Sequence, residues 1–138
     1  MRDTPVNGPV RPYRLVFTHR RLPELNTRAT RRNRFAQAAE AKRWQQIVLT
    51  YVLAQGGGPP KPLTVALVTL TRHSSREPDP DNLATSFKSI LDSLVKAGVL
   101  ADDKPQNFVG GRPVYRWSAA PPDKGCIEVD VREAMSDA

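Results

Sequence analysis

LTVALVTLT (residues 63–71), followed by DPDNLATSFKSILDSLVKAG (residues 79–98), is the stretch from which the fold is read. The first segment is β-rich and almost continuously apolar, which suits a central strand covered on both faces. In the second, Leu83, Phe87, Ile90, Leu91 and Leu94 recur at helical spacing. Gly98 supplies the residue type that ends helices, so one helix is expected over residues 82–97. A buried strand therefore hands over to an amphipathic helix through a polar loop at residues 73–80.

The same reading extends outward in both directions. Residues 13–19 alternate around Leu15 and Phe17 and predict a strand. Residues 33–54 predict a helix whose apolar face carries Trp44, Ile47, Val48, Tyr51 and Val52, ended by three glycines and two prolines. Residues 101–111 read as a loop and 113–117 as a short strand. Residues 126–131 alternate Ile127, Val129 and Val131 against Glu128 and Asp130, a strand with one solvated face. The expected fold class is α/β (α+β), a single domain with a mixed sheet flanked by two main helices, in the order β-α-β-α-β-β. Residues 1–12, with Pro5, Gly8, Pro9 and Pro12, read as a loose arm; 13–132 form the domain; 133–138 form a tail.

The 138 residues suit one compact domain, and domains commonly run to ~100–150 residues. One cysteine, Cys126, excludes an intrachain disulfide and suits a reducing compartment. No apolar run approaches the ~20 residues of a membrane span. The opening MRDTPVNGPVRPYR has no apolar segment behind its basic residue, so no secretory signal is expected and the location is read as cytoplasmic.

The net charge of +7 is unevenly spread. Residues 1–43 hold eleven Lys or Arg and three acids, a net of +8, whereas residues 44–138 hold ten bases and eleven acids, a net of −1. A clustered positive field attracts polyanions, which favours nucleic acid as a partner. Arg20, Arg21, Arg28, Arg31, Arg32 and Arg76 are the candidates for backbone phosphates, contacts that position DNA without reading its sequence. An RNA-reading alternative is poorer, because the clustered exposed aromatics of single-strand readers are missing.

Only one segment concentrates groups able to do chemistry. Asp79 and Asp81 flank Pro80 where strand meets helix, and Asp102 and Asp103 follow that helix. Hard divalent cations take carboxylate oxygens, and phosphodiester hydrolysis needs such a centre to neutralise phosphate charge and ionise water. Each acid also has a plainer reading. Asp79 before Pro80 makes a good helix start, Asp81 complements the helix dipole, and Asp102-Asp103-Lys104 makes a solvated turn. A helix of about sixteen residues is roughly 24 Å long at 1.5 Å per residue, so the second acidic pair rejoins the first only if the following loop folds back. Lys88, seven residues after Asp81, either serves a scissile phosphate or pairs with Asp92 at i+4. His19 and His73 are isolated, Cys126 reads as core, and no glycine-rich nucleotide loop is present, so no nucleotide cofactor is expected.

DPDNLATSFKSILDSLVKAGVLADD (residues 79–103) resembles the RusA family of Holliday-junction resolvases, phage-type members included. The shared features are D-x-D-N-L, a helix ending in A-G, and an acidic D-D pair shortly after. LPELN (residues 22–26) resembles the L-P-x-x-N segment near the start of those proteins. The resemblance implies Mg²⁺-dependent cleavage of branched DNA by a homodimer, with Mn²⁺ able to substitute, in recombination and repair. It implies that Asp79, Asp81 and Asp103 hold the metal, Asp103 rather than Asp102 being the third acid. Many members carry a lysine four residues after the second Asp of D-x-D. Here that position is Thr85: either Lys88 takes the role from the next turn, the preferred reading, or the group is missing. The departure leaves open an alternative of another class, a catalytically impaired DNA-binding protein on the same scaffold.

Overall fold

Alternation along the strands determines which side of the sheet the helices cover. The computed structural model describes residues 11–23 and 34–134. In chain order the elements are β1 (Arg14–His19), α1 (Arg34–Ala54), β2 (Ala66–Ser74), α2 (Pro80–Ser86), α3 (Lys88–Lys96), β3 (Val114–Ala119) and β4 (Cys126–Glu133). The strands form one mixed sheet in the order β1-β4-β2-β3. β4 is antiparallel to both its neighbours, and β2 pairs with β3 in parallel across the α2–α3 connection. The fold is therefore α+β, as the sequence predicts.

Register places Phe17, Val129, Leu70 and Tyr115 in one row across the sheet, and Leu15, Val131 and Val68 in the next. These side chains share the face covered by the helices. Trp44, Val48 and Val52 from α1 and Ile90 and Leu94 from α3 are completely or almost completely buried against it. The expected apolar faces of both helical regions are the observed ones.

Three expectations change. β2 does not span residues 63–71 but begins at Ala66 and runs through His73 and Ser74. The reason is long-range pairing: His73 lies opposite Cys126 on β4 and Ser118 on β3. Nor is β2 covered on both faces. Leu67, Thr69, Thr71 and His73 are only half-buried, on the side without helices. Finally, the single helix over 82–97 is two segments joined at Phe87, with φ −89° and ψ 0°. Its N–H bonds Ala84 O at 3.2 Å, a tightened turn. Phe87 is fully buried there and stacks on Tyr115, with ring centroids 6.1 Å apart.

Gly98 ends α3 with φ +80°, as its position predicts. Val99 N–H returns to Leu94 O at 3.0 Å and Gly98 N–H to Val95 O at 3.0 Å, the paired bonds of a Schellman ending. The chain then passes beside Leu63, whose N–H bonds Val99 O at 2.8 Å and whose carbonyl accepts Ala101 N–H at 2.8 Å. At the opposite edge of the sheet, Gln55 Nε2 donates to Val16 O at 2.7 Å and Tyr51 Oη to Thr18 O at 3.1 Å. Side chains of α1 and its C-terminal turn thus occupy backbone carbonyls of β1, which limits its use as a template for another strand.

Candidate active site

The acids of DPDN are set by the passage from β2 into α2. Trp117 Nε1 donates to Ser74 Oγ at 3.0 Å, and Ser74 Oγ donates to Arg76 O at 2.9 Å, so the turn leaving β2 is tied to β3. Pro80 then opens α2. Asp79 stands at the N-cap with extended backbone, φ −57° and ψ 149°, but its carboxylate makes no capping hydrogen bond. Among the described residues its carbonyl is the group in use, accepting Leu83 N–H at 2.8 Å. The side chain that the plainer reading assigned to the cap remains exposed. Asp81 lies in the first turn of α2, where it complements the helix dipole, and its side chain lines a cleft.

That cleft, of about 660 Å³, lies between the head of α2 and β3. Glu77 and Asp81 stand on one side; Arg112, Tyr115 and Trp117 stand on the other. Burial pushes the Tyr115 hydroxyl above the usual phenol range; Arg112 opposes the rise and Asp103 adds to it. Arg112 and Asp103 therefore both lie near this ring. Arg112 was not legible as a site residue, because only the parallel pairing of β3 with β2 brings its loop to DPDN.

The loop after α3 turns back along that helix only as far as Asp92, in its middle, whose carboxyl Asp103 approaches; among the described residues no cluster of three acids joins Asp103 to Asp79 and Asp81. Burial raises the affinity of Asp92 for its proton, and the Asp103 charge adds to this, while Lys88 and then Lys96 act against it. Lys88, exposed at the start of α3, thus acts on an Asp92 that Asp103 also approaches. Asp102 is spent on its own turn: Oδ1 accepts Asp103 N–H at 2.8 Å and Oδ2 lies 3.7 Å from Lys104 Nζ. The backbone bond is the main cause holding its carboxyl below the ordinary value. Asp92 had no signal of its own in the sequence beyond its spacing from Lys88.

Among the described residues, no three acids, histidines or cysteines gather closely enough to enclose a metal ion. The available donors suit Mg²⁺ in kind, because they are all carboxylate oxygens. Mg²⁺ commonly keeps several waters and takes one or two carboxylates plus substrate phosphate. Asp79 and Asp81, both exposed at one helix start, fit that pattern as a pair.

Of the basic candidates, Arg28, Arg31 and Arg32 lie outside the described residues. Arg20 and Arg76 are exposed. Arg21 is committed internally, with Nη2 2.8 Å from Glu40 Oε1. Glu40 is also held by Arg43 at 3.3 Å and by Trp44 Nε1 at 3.1 Å. The sequence did not single out Arg72, which is buried and donates from Nη1 to Pro23 O at 2.7 Å. Its signal was parity, since it shares the inward phase of Val68 and Leu70. Cys126, expected in the core, is half-buried on the helix-free face opposite His73, and His73 Nε2 lies 2.8 Å from Glu128 Oε1. No helix among the described residues is long and apolar enough to cross a membrane.

In comparisons with known proteins, the chain matches no family model, and no curated protein is significantly similar to it.

Proposed function

We propose that this chain is a metal-dependent endodeoxyribonuclease acting on branched DNA, four-way junctions above all, as its resemblance to the RusA family implies. The observation that carries the reading is the return of Asp103 to Asp92 on α3. It brings Asp103 towards α3, where Lys88 also acts on Asp92, and the carboxylate of Asp79 is free of its cap; both support the reading. In this reading Asp79 and Asp81 hold Mg²⁺, with Mn²⁺ as a substitute, Asp103 is the third acid that the resemblance implies, and waters and substrate complete the shell. When bound, the ion supplies charge neutralisation at the phosphate and a water of lowered pKa. Lys88 adds positive charge where the transition state gains negative charge. Arg20 and Arg76 hold backbone phosphates. A two-fold homodimer presents two equivalent sites to a symmetric junction. The setting is the cytoplasm of a bacterium or of a phage-infected host.

Nicking of a synthetic four-way junction with and without Mg²⁺ tests this. Mg²⁺-dependent nicking is expected, lost in Asp81→Asn while junction binding survives. Full activity of Asp81→Asn in a clean preparation would sink the mechanism. Thr85, standing where many members carry a lysine, supports the second reading, a DNA-binding protein without useful catalysis. Junction binding with no Mg²⁺-dependent nicking selects it.

A further inference from the structure

We propose that the cleft between the head of α2 and β3 receives one unstacked nucleobase of the DNA, beside the phosphate to be cut. This rests on the nuclease reading above and names what part of the substrate enters. The volume, about 660 Å³, falls in the ~300–1,000 Å³ range of sites for small molecules. It is enough for a single nucleotide.

The walls suit a base. Tyr115 and Trp117 are two residues apart on β3 and so present their rings on one face. Both are held in place, Tyr115 by Phe87 behind it and Trp117 by its bond to Ser74. Rings already fixed lose little freedom when a base stacks on them. The polar groups are few and opposed. Glu77 offers acceptors to an exocyclic amino group and Arg112 offers donors to a carbonyl or phosphate oxygen. Asp81 opens into the same space, so a base seated there brings its own backbone phosphate to the acidic segment. A branch point is where such a base is easiest to free, since it has already lost stacking on one side.

The experiment places 2-aminopurine at successive positions around the crossover of a synthetic junction and binds the full chain in Ca²⁺. Fluorescence at one position next to the nicking site is expected to fall several-fold on binding, because a 2-aminopurine stacked on a phenol or indole ring is quenched. Ala84→Leu narrows the cleft from α2 with a good helix former. It is expected to remove most of this quenching while junction affinity, carried by phosphate contacts, changes little. Quenching that survives Ala84→Leu, or junction binding with no quenching at any position, overturns the proposal. Nicking of the same junction in Mg²⁺ reports separately on the nuclease reading. Nicking without quenching leaves that reading standing and removes the base site. Quenching sensitive to Ala84→Leu without nicking does the reverse.

Discussion

Asp103, on the loop after α3, meets the carboxyl of Asp92 four residues along the helix from Lys88. Two carboxyls in contact cannot both ionise without cost. Asp92 therefore holds its proton more tightly in the fold than at its ordinary value of 3.8, through burial first and the Asp103 charge second. A carboxyl raised in this way contributes its full stability below about pH 3.8 and loses it as pH rises through the folded value. In metal-free buffer Asp92→Asn is expected to raise the melting temperature relative to wild type at about pH 8, and less so at about pH 4. Thermal melts of both proteins at each pH check this. An equal difference at both values would contradict it.

Arg72 anchors the chain just after β1 through Pro23. Its Nε is buried with no partner among the described residues, so the Pro23 contact is the bond this guanidinium is seen to make. Arg72→Ala leaves that carbonyl without its donor and opens space beneath it. A loss of about 2 kcal/mol is expected in urea unfolding. The same variant should bind DNA more weakly, because the exposed Arg20 lies three residues before Pro23.

The basic candidates should divide by readout. Arg20→Ala and Arg76→Ala are expected to weaken junction binding across sequences, each lowering the slope of log affinity against log salt by about 1. Arg21→Ala should instead act mainly on stability, by at most about 1 kcal/mol, since its partner Glu40 is shared with Arg43 and Trp44 and the pair is partly solvated. Salt titrations and melts of the three variants separate the roles.

Gly98 takes φ +80° with open space where a Cβ would stand. The cost of Gly98→Ala is therefore conformational rather than steric, about 1 kcal/mol in chemical denaturation. If the variant also lowers nicking, the placing of Asp103 depends on this turn, since only four residues separate it from Gly98.

The elements were legible because their cause is local. Trp44, Val48 and Val52 repeat at helical spacing, Leu15 and Phe17 alternate, and Gly98 stands where a helix must end. These patterns determine helix or strand whatever the neighbours. The ends of β2 were not legible in the same way. His73 and Ser74 are polar and read as loop, yet they are strand because β3 and β4 offer backbone partners. The break at Phe87 has the same origin, since a continuous apolar stripe cannot show that one ring must turn inward onto Tyr115.

The candidate site divides likewise. The sequence by itself determined an acidic strand-to-helix junction at Asp79 and Asp81, a second acidic pair after the helix, and a basic first third. Only the tertiary structure decided that Asp102 is spent on its own turn and that Asp103 reaches Asp92. It alone committed Arg21 to Glu40 and set Arg112, Tyr115 and Trp117 across a cleft from Asp81. The physical reason is range. Periodicity and end signals act within a few residues, whereas the pairing of carboxyls and the lining of a cleft join segments that only the sheet and its crossover bring together.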